Sequence, residues 1–400
     1  MRVILSPSVA TGVVTAPPSK SMAHRALICG ALSKGSTIRN VAYSQDIEAT
    51  LRCLQTMGAT VERKGDVLNI GGLNPFAIVP YTVLDCGESG STLRFLLPLC
   101  LLASVPVILK GSRRLLERPL GVYEEICEQQ NLTLIRTENA ITVCGRLSAG
   151  IYRVPGNVSS QFISGLLFAL SLLEQESTLE VLEPFESRSY VRMTREVLAC
   201  FGITMDVQKH RFHIPERGTY RSLDYAVEGD CSNAAFLDGF NLLSGSVKVL
   251  GLSEETSQGD WVYKNFYRQL QEGWQQFDLS NCPDLGPVMF ALAAVFGGAK
   301  FSGTARLRIK ESDRVAAMVT ELAKFGVSAT VEENAVEIHN GVLRAPTEAL
   351  CGHNDHRIVM ALSLLCSKVG GAIEGAEAVA KSYPDYFDTI RSLGIKVDIE

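Results

Sequence analysis

One pattern recurs along the 400-residue chain: a helix-like segment closed by glycine or asparagine, then two short alternating strands. It appears as "LQTMGATVERKGDVLNIGG", "EQQNLTLIRTENAITVCG", "LACFGITMDVQKHRFHI" and "LAKFGVSATVEENAVEIHNG". A looser copy surrounds Gly273, and a last one, "RSLGIKVDIE", stops after its first strand at Glu400. The turn residues Gly58, Asn131, Gly202, Gly273, Gly326 and Gly394 lie 73, 71, 71, 53 and 68 positions apart, so the chain holds six copies of one unit. Each is larger than a solenoid repeat of roughly 20 to 50 residues. The turn residues fit a helix end that needs the left-handed conformation, and the alternation that follows fits a half-buried strand.

A second element interleaves with the first, a small-polar cluster followed at once by an apolar helix. The copies are "PSKSMAHRALICGAL", "CGESGSTLRFLLPLC", "GNVSSQFISGLLFAL", "EGDCSNAAFLDGFNLL", "NCPDLGPVMFALAAV" and "HNDHRIVMALSLLC". Helices apolar almost all round belong in a core, which leaves their starts as the informative ends. A helix start carries unpaired N–H groups and roughly half a positive charge, so six of them pointing toward one cleft would bind anions. In "APPSKSMAHRALICGAL" the cations Lys20 and Arg25 stand in the first two turns, against the dipole, an arrangement that an anionic ligand would explain. Three units before about residue 227 and three after it predict two similar α/β domains. Residues 19–227 form one; residues 1–18 with 228–400 form the other, discontinuous because "RVILSP" supplies the strand that the last unit lacks. Hinge crossovers are expected at 17–18 and near 227.

Hydrophobic residues make up 46% of the chain and charged ones only 20%, enough to bury a large core. A net charge of −5 gives no reason to expect nucleic acid, so any anion site must be built locally. Eleven cysteines stand singly, without a CxxC pair, which argues for reduced thiols rather than disulfides or a thiolate zinc site. Neither a signal segment nor an 18-residue apolar span is found, so a cytoplasmic protein away from the membrane is expected. His353 and His356 in "HNDHR" are two imidazoles without a nearby Glu or Cys ligand pattern, too few for a metal site.

Seven motifs in order, "PSKSMAHRAL", "GESGSTLR", "RRLLERP", "VSSQFISGLL", "RIKESDR", "NDHRIVM" and "AKSYPDYF", cover nearly the whole chain. Together they resemble the EPSP synthase (3-phosphoshikimate 1-carboxyvinyltransferase) family of enolpyruvyl transferases. The resemblance implies two inside-out α/β domains, each of three βαβαββ units around buried helices. It implies transfer of the enolpyruvyl group of phosphoenolpyruvate to the 5-hydroxyl of shikimate 3-phosphate, by addition and elimination in a closing interdomain cleft. The implied partners are these two small molecules alone, with no cofactor, no metal, no nucleic acid and a monomeric chain.

Residue by residue, the resemblance places Lys20 against both substrates and gives the shikimate carboxylate to Ser21 and Arg25. Ser159, Ser160 and Ser187 cradle the shikimate phosphate, with Lys310 on the same substrate and Tyr190 near the ring. Gln161 reaches toward phosphoenolpyruvate, which Gly90, Arg118, Arg314, Arg357 and Lys381 clamp. Asp284 matches the carboxylate at the attacking hydroxyl and Glu311 the proton shuttle, with Lys20 and Lys381 close enough to contribute. His356 bonds a substrate phosphate or Glu311. From the residues alone other readings stay open: Ser159 as an ordinary helix cap, Asp284 as a cap ahead of Leu285, and Lys20 with Arg25 as a solvated helix start.

Glu88 and Ser89 depart from the common Gly-Asn-Ala/Ser-Gly-Thr loop, setting a carboxylate at a helix start beside the expected phosphoenolpyruvate site. Response to inhibitors at this loop, glyphosate included, is therefore not legible. The nearest rival is UDP-N-acetylglucosamine enolpyruvyl transferase, which pairs Lys with Asn in its first motif and carries a loop cysteine as acid. This chain has Lys20-Ser21 and no Cys in "GSRRLLERP". A silent module that binds anionic metabolites is a second rival, opposed by the retained Asp284, Glu311 and Lys20. An RNA-end-processing protein on related units is a third, opposed by the charge balance.

Overall fold

The third repeat shows why these residues fold as they do. Ile151–Pro155 alternates exposed and buried positions, as a strand with one covered face must. It pairs in parallel with Ser177–Leu182, in the register Tyr152 to Leu179. A parallel pair needs a long crossover, here the buried helix Ser160–Leu170. The helix Arg188–Cys200 then leads to a hairpin of Asp206–Gln208 and Arg211–Ile214, whose second strand returns antiparallel to Ser177–Leu182. The sheet order is thus first, second, fourth, third. The same order holds for Thr82–Asp85, Val107–Lys110, Ala140–Cys144 and Thr133–Arg136, and for Gln275–Asp278, Ala299–Ser302, Ala335–Ile338 and Ala329–Val331. All of this is seen in a computed structural model that describes residues 1–400.

Two of the four-stranded sheets are completed from afar. Arg2–Ser6 lies between Gly371–Glu374 and Lys396–Ile399, pairing Ile4 with Ala372 and Val3 with Ile399. The N-terminal segment therefore fills the place of the strand that the last repeat lacks. Asp224–Ala226 stands in parallel beside Ser36–Arg39, the first-strand position of the first repeat. All six turn residues have positive φ: 112° at Gly58, 54° at Asn131, 87° at Gly202, 115° at Gly273, 82° at Gly326 and 95° at Gly394.

The copy around Gly273 differs from expectation. Its sheet has only two strands, Thr11–Thr15 and Ser246–Leu250, and no antiparallel pair follows the glycine. The one strand after Gly273, Gln275–Asp278, is the first strand of the next sheet. The short spacing of 53 residues is the sequence trace of this loss. Ser246 and Leu250 turn their backbone groups toward Ala10 and Ala16, on the Thr11–Thr15 side, so Val247 faces away. There the Asn241 carboxamide accepts from the Val247 N–H at 2.6 Å and donates to its carbonyl at 2.8 Å, taking over bonds that a third strand makes in the other sheets.

The chain divides into two compact units, residues 18–228 and residues 1–17 with 229–400. In the first, the helices Lys20–Leu32, Gly90–Cys100 and Ser160–Leu170 are almost wholly buried. In the second, Cys231–Leu242, Gly286–Ala293 and His356–Val369 play that part. Each unit has its own hydrophobic core running along these helices. No helix is long and apolar enough to cross a membrane, and all eleven cysteines are free thiols.

Candidate active site

In residues 18–228 the site begins at helix starts. Ser19 caps the Lys20 helix, its Oγ accepting from the Met22 N–H at 3.4 Å. Lys20 is thereby the first helical residue, and its Nζ meets Asp46 Oδ2 at 2.7 Å with both side chains largely covered. Arg25 is buried and donates to Thr194 Oγ1 at 2.8 Å, the Ser21 carbonyl at 2.6 Å and the Tyr190 carbonyl at 3.0 Å. Burial lowers its pKa to about 10, so it stays charged at neutral pH. These bonds tie the Lys20 helix to the helix Arg188–Cys200, whose cap Ser187 is fully buried and left-handed at φ 51°. A non-glycine residue held there costs on the order of 1–3 kcal/mol and persists where surroundings over-determine it.

Ser159 caps the Ser160 helix, its Oγ accepting from the Gln161 N–H at 3.3 Å. The Gln161 amide is fixed at both ends: Oε1 accepts from Arg94 Nη1 at 2.9 Å, and Nε2 donates to Ser91 Oγ at 3.0 Å. Arg94 also donates to the Pro119 carbonyl at 3.0 Å and lies over the Phe162 ring. Gly90 opens its helix where two guanidiniums converge. A Cβ there would stand 2.7 Å from Arg118 Nη1 and 3.1 Å from Arg94 Nη1, so a larger residue would displace the guanidinium of Arg118. Sequence reasoning missed Arg94 and Ser91. The available signal was an arginine one turn inside an otherwise apolar helix start.

A neutral hydrogen-bond chain ties three helices of this unit together. His24 Nδ1 meets Thr50 Oγ1 at 2.8 Å, Thr50 meets Thr92 Oγ1 at 2.6 Å, and Thr92 donates to Ser89 Oγ at 2.7 Å. Burial, with Lys20 and Arg25 adding to it, holds the His24 ring well below the usual histidine range, so it stays neutral.

In residues 229–400 the centre is Arg314, the first residue of the helix Arg314–Lys324 and 1% exposed. Its Nε donates to Asp355 Oδ2 at 2.8 Å, Nη2 to Glu311 Oε2 at 2.9 Å and Nη1 to Asp284 Oδ1 at 2.9 Å. The second oxygen of Asp284 accepts from Arg357 Nη2 at 3.1 Å, and Lys310 Nζ lies 3.4 Å from the first. Asp313 caps the Arg314 helix, taking the N–H groups of Val315 and Ala316, while Asp355 caps the His356 helix through the Arg357 N–H. Each cap thus delivers an arginine to the cluster. Lys381 Nζ donates to the Asn354 carbonyl at 2.5 Å, and His356 Nδ1 lies 3.9 Å from Asp355 Oδ1.

The electrostatics follow from burial and pairing. Burial works against the Arg314 charge, but Asp355, Glu311 and Asp284 outweigh it and hold the guanidinium protonated far above any working pH. Lys310 goes the other way: burial, with Arg314 and Arg306 adding to it and Asp284 opposing, lowers its pKa to about 8. Sequence reasoning also missed Asp260, a buried carboxylate that accepts a bond from Ser232 Oγ. Burial and then the Asp284 charge push it up to about 6.

Of the residues singled out from the sequence, Asp284, Lys310, Glu311, Arg314 and Arg357 form one bonded cluster, with Lys381 and His356 at its flank. Lys20, Ser21, Arg25, Gly90, Arg118, Ser159, Ser160, Gln161, Ser187 and Tyr190 belong to the other unit. Asp284 binds side-chain cations, a role beyond helix capping. No group of three or more metal-ligating side chains occurs, and His353 is bonded to Glu321 instead. Three carboxylates held on one guanidinium can move protons, and the Arg357 guanidinium and the Lys310 amine beside them can bind anions.

A family model described as EPSP synthase (3-phosphoshikimate 1-carboxyvinyltransferase) matches residues 6–390. A 3-phosphoshikimate 1-carboxyvinyltransferase of Clostridium kluyveri is 40% identical, over 99% of this chain and 98% of that protein. One from Clostridioides difficile is 36% identical, over 98% of this chain and 97% of that protein. Among solved structures, EPSP synthase from Acinetobacter baumannii matches with a TM-score of 0.79 at 20% identity, covering 100% of this chain and 99% of that one, a likeness of fold.

Proposed function

The chain belongs to the EPSP synthase family, and from that membership we propose how its residues carry out the family's reaction. The activity is transfer of the enolpyruvyl group of phosphoenolpyruvate to shikimate 3-phosphate, with release of phosphate. In the addition, the 5-hydroxyl oxygen bonds to C2 of phosphoenolpyruvate, the hydroxyl loses its proton, and the methylene carbon gains one. In the elimination, the C2–O bond to phosphate breaks and the new methyl group returns a proton, restoring the double bond.

Asp284 polarises the 5-hydroxyl and takes its proton, and Glu311 shuttles the proton at the methylene carbon. The observation that carries this assignment is the fork of Arg314, which bonds Asp284 through Nη1 and Glu311 through Nη2, both at 2.9 Å. Two carboxylates oriented by one planar group can serve opposite proton transfers without drifting apart. Arg357, Lys381, Arg118 and Lys20 supply charge for phosphoenolpyruvate, and His356 takes its phosphate. Ser159, Ser160, Ser187 and Lys310 take the shikimate phosphate, with Ser21, Arg25 and Tyr190 on the ring and its carboxylate. Contributions from both units to one substrate pair, drawn together on binding, are part of the proposal, and a monomer in the cytoplasm suffices for it.

Lys310 gives the test. A dianionic phosphate needs the protonated amine, and the free enzyme holds that amine with a pKa of about 8. Log kcat/KM for shikimate 3-phosphate should therefore fall as pH rises through about 8. The kcat profile should stay flat there, because the bound phosphate raises the lysine pKa. Lys310→Arg should move the alkaline limb of kcat/KM upward. An unmoved limb would remove Lys310 from the phosphate.

A further inference from the structure

The helix His356–Val369 is entered through a left-handed turn. The Gly352 carbonyl accepts the Asp355 N–H at 2.9 Å, and the two residues between them, His353 and Asn354, have φ of 49° and 51°. Positive φ at both central positions defines a type I′ turn, whose usual residues are Asn-Gly. A histidine in the first of these positions costs on the order of 1–3 kcal/mol unless its surroundings hold it.

Those surroundings converge on Glu321, in the Arg314 helix and 1% exposed. Its Oε1 accepts from His353 Nε2 at 2.9 Å, and its Oε2 from the Cys351 N–H and from Lys324 Nζ, each at 3.0 Å. Burial opposes the Glu321 charge, but the bonds from His353, the Cys351 N–H and Lys324 outweigh it and hold the carboxyl below the ordinary glutamate range. The His353 N–H rests on Cys351 Sγ at 3.3 Å, and the Gly352 N–H donates to the Glu374 carbonyl at 2.8 Å. The turn has two outputs. The Asn354 carbonyl receives Lys381 Nζ, and the next residue, Asp355, receives Arg314. Neither Glu321 nor His353 bonds to the substrate-contact residues named above.

We propose that Glu321 and His353 are positioning residues. The buried carboxylate grips the imidazole and forces the left-handed turn, which sets the Asn354 carbonyl on Lys381 and the Asp355 carboxylate on Arg314. This rests on the assignment of Lys381 to phosphoenolpyruvate and of Arg314 to the orientation of Asp284 and Glu311.

The test is steady-state kinetics at saturating shikimate 3-phosphate for Glu321→Gln, His353→Ala, His353→Gly and the double variant Glu321→Gln/His353→Gly. A misplacement of about 1 Å can cost on the order of 10²-fold, and a smaller shift of Lys381 costs less, so Glu321→Gln and His353→Ala should each raise the KM for phosphoenolpyruvate about tenfold. The KM for shikimate 3-phosphate should change far less. Glycine adopts positive φ without strain, so His353→Gly should remain near wild type and should restore the KM of Glu321→Gln. An unchanged KM in both single variants would overturn the proposal, as would a glycine variant as impaired as the alanine one. Should Glu321→Gln fail to fold, the alanine and glycine variants at partly exposed His353 decide it alone. The wild-type enzyme separates the two levels. No phosphate release from it defeats the assigned reaction, whereas an active wild type with indifferent variants defeats only the positioning role.

Discussion

Replacing Asp284 by asparagine should lower turnover by roughly 10²–10⁴ while shikimate 3-phosphate still binds. The substitution keeps the size of the side chain and one acceptor but removes the charge that joins Arg314 Nη1, Arg357 Nη2 and Lys310 Nζ. Two consequences follow in the same direction. The 5-hydroxyl loses its proton acceptor, and an amide NH₂ turned toward Arg357 or Lys310 presents a donor to a donor. On the proposed assignment the phosphate keeps Ser159, Ser160 and Ser187, which lie in a different unit of the fold from Asp284, and only Lys310 among its partners is disturbed. Isothermal titration with shikimate 3-phosphate beside single-turnover kinetics separates the two effects. Near-normal turnover would show that the carboxylate serves structure alone.

The second large effect is on stability. Arg314→Met should cost about 3–5 kcal/mol, the range for breaking a buried ion pair by removing one partner. The thioether fits much of the volume, but Asp355 is 0% exposed and would keep only Ser312 Oγ, the Arg357 N–H and nearby histidine as partners. The loss is one of stranded charge, so Arg314→Met with Asp355→Asn should recover a large part of it. Urea unfolding of the single and double variants reads this directly. A single variant within about 1 kcal/mol of wild type would mean that the cluster relaxes or hydrates, and a double variant no better than the single would locate the loss elsewhere. Activity should be absent in both, because the fork that orients Asp284 and Glu311 is gone.

Much of this architecture was legible in local sequence. Each of the six turn residues takes positive φ because a helix that ends and reverses into a strand needs a left-handed residue there, and glycine or asparagine is what that geometry selects. The buried helices declared themselves by being apolar on every side. The truncated last repeat pointed to Arg2–Ser6 because a four-stranded sheet cannot be left one strand short in its middle. What escaped was set by contacts distant in sequence. "WQQFDL" after Gly273 has the alternation of any strand, and only pairing with Ala299–Ser302 shows that it opens the next sheet. Arg94 holds Gln161 across 67 residues, Ser232 holds Asp260 across 28, and Glu321 holds His353 across 32. A local pattern says that such a residue is polar in an apolar neighbourhood. It cannot say which distant group it meets.

The acceptor of the enolpyruvyl group tests the account most directly. Phosphate release from phosphoenolpyruvate should be followed with shikimate 3-phosphate, with UDP-N-acetylglucosamine and with neither, each in the presence and absence of EDTA. Release should occur with shikimate 3-phosphate alone, at the same rate with the chelator, and the product should carry the enolpyruvyl ether at the 5-position. Release with UDP-N-acetylglucosamine and none with shikimate 3-phosphate would contradict the account, and so would a shikimate-dependent rate abolished by EDTA and restored by a single divalent ion.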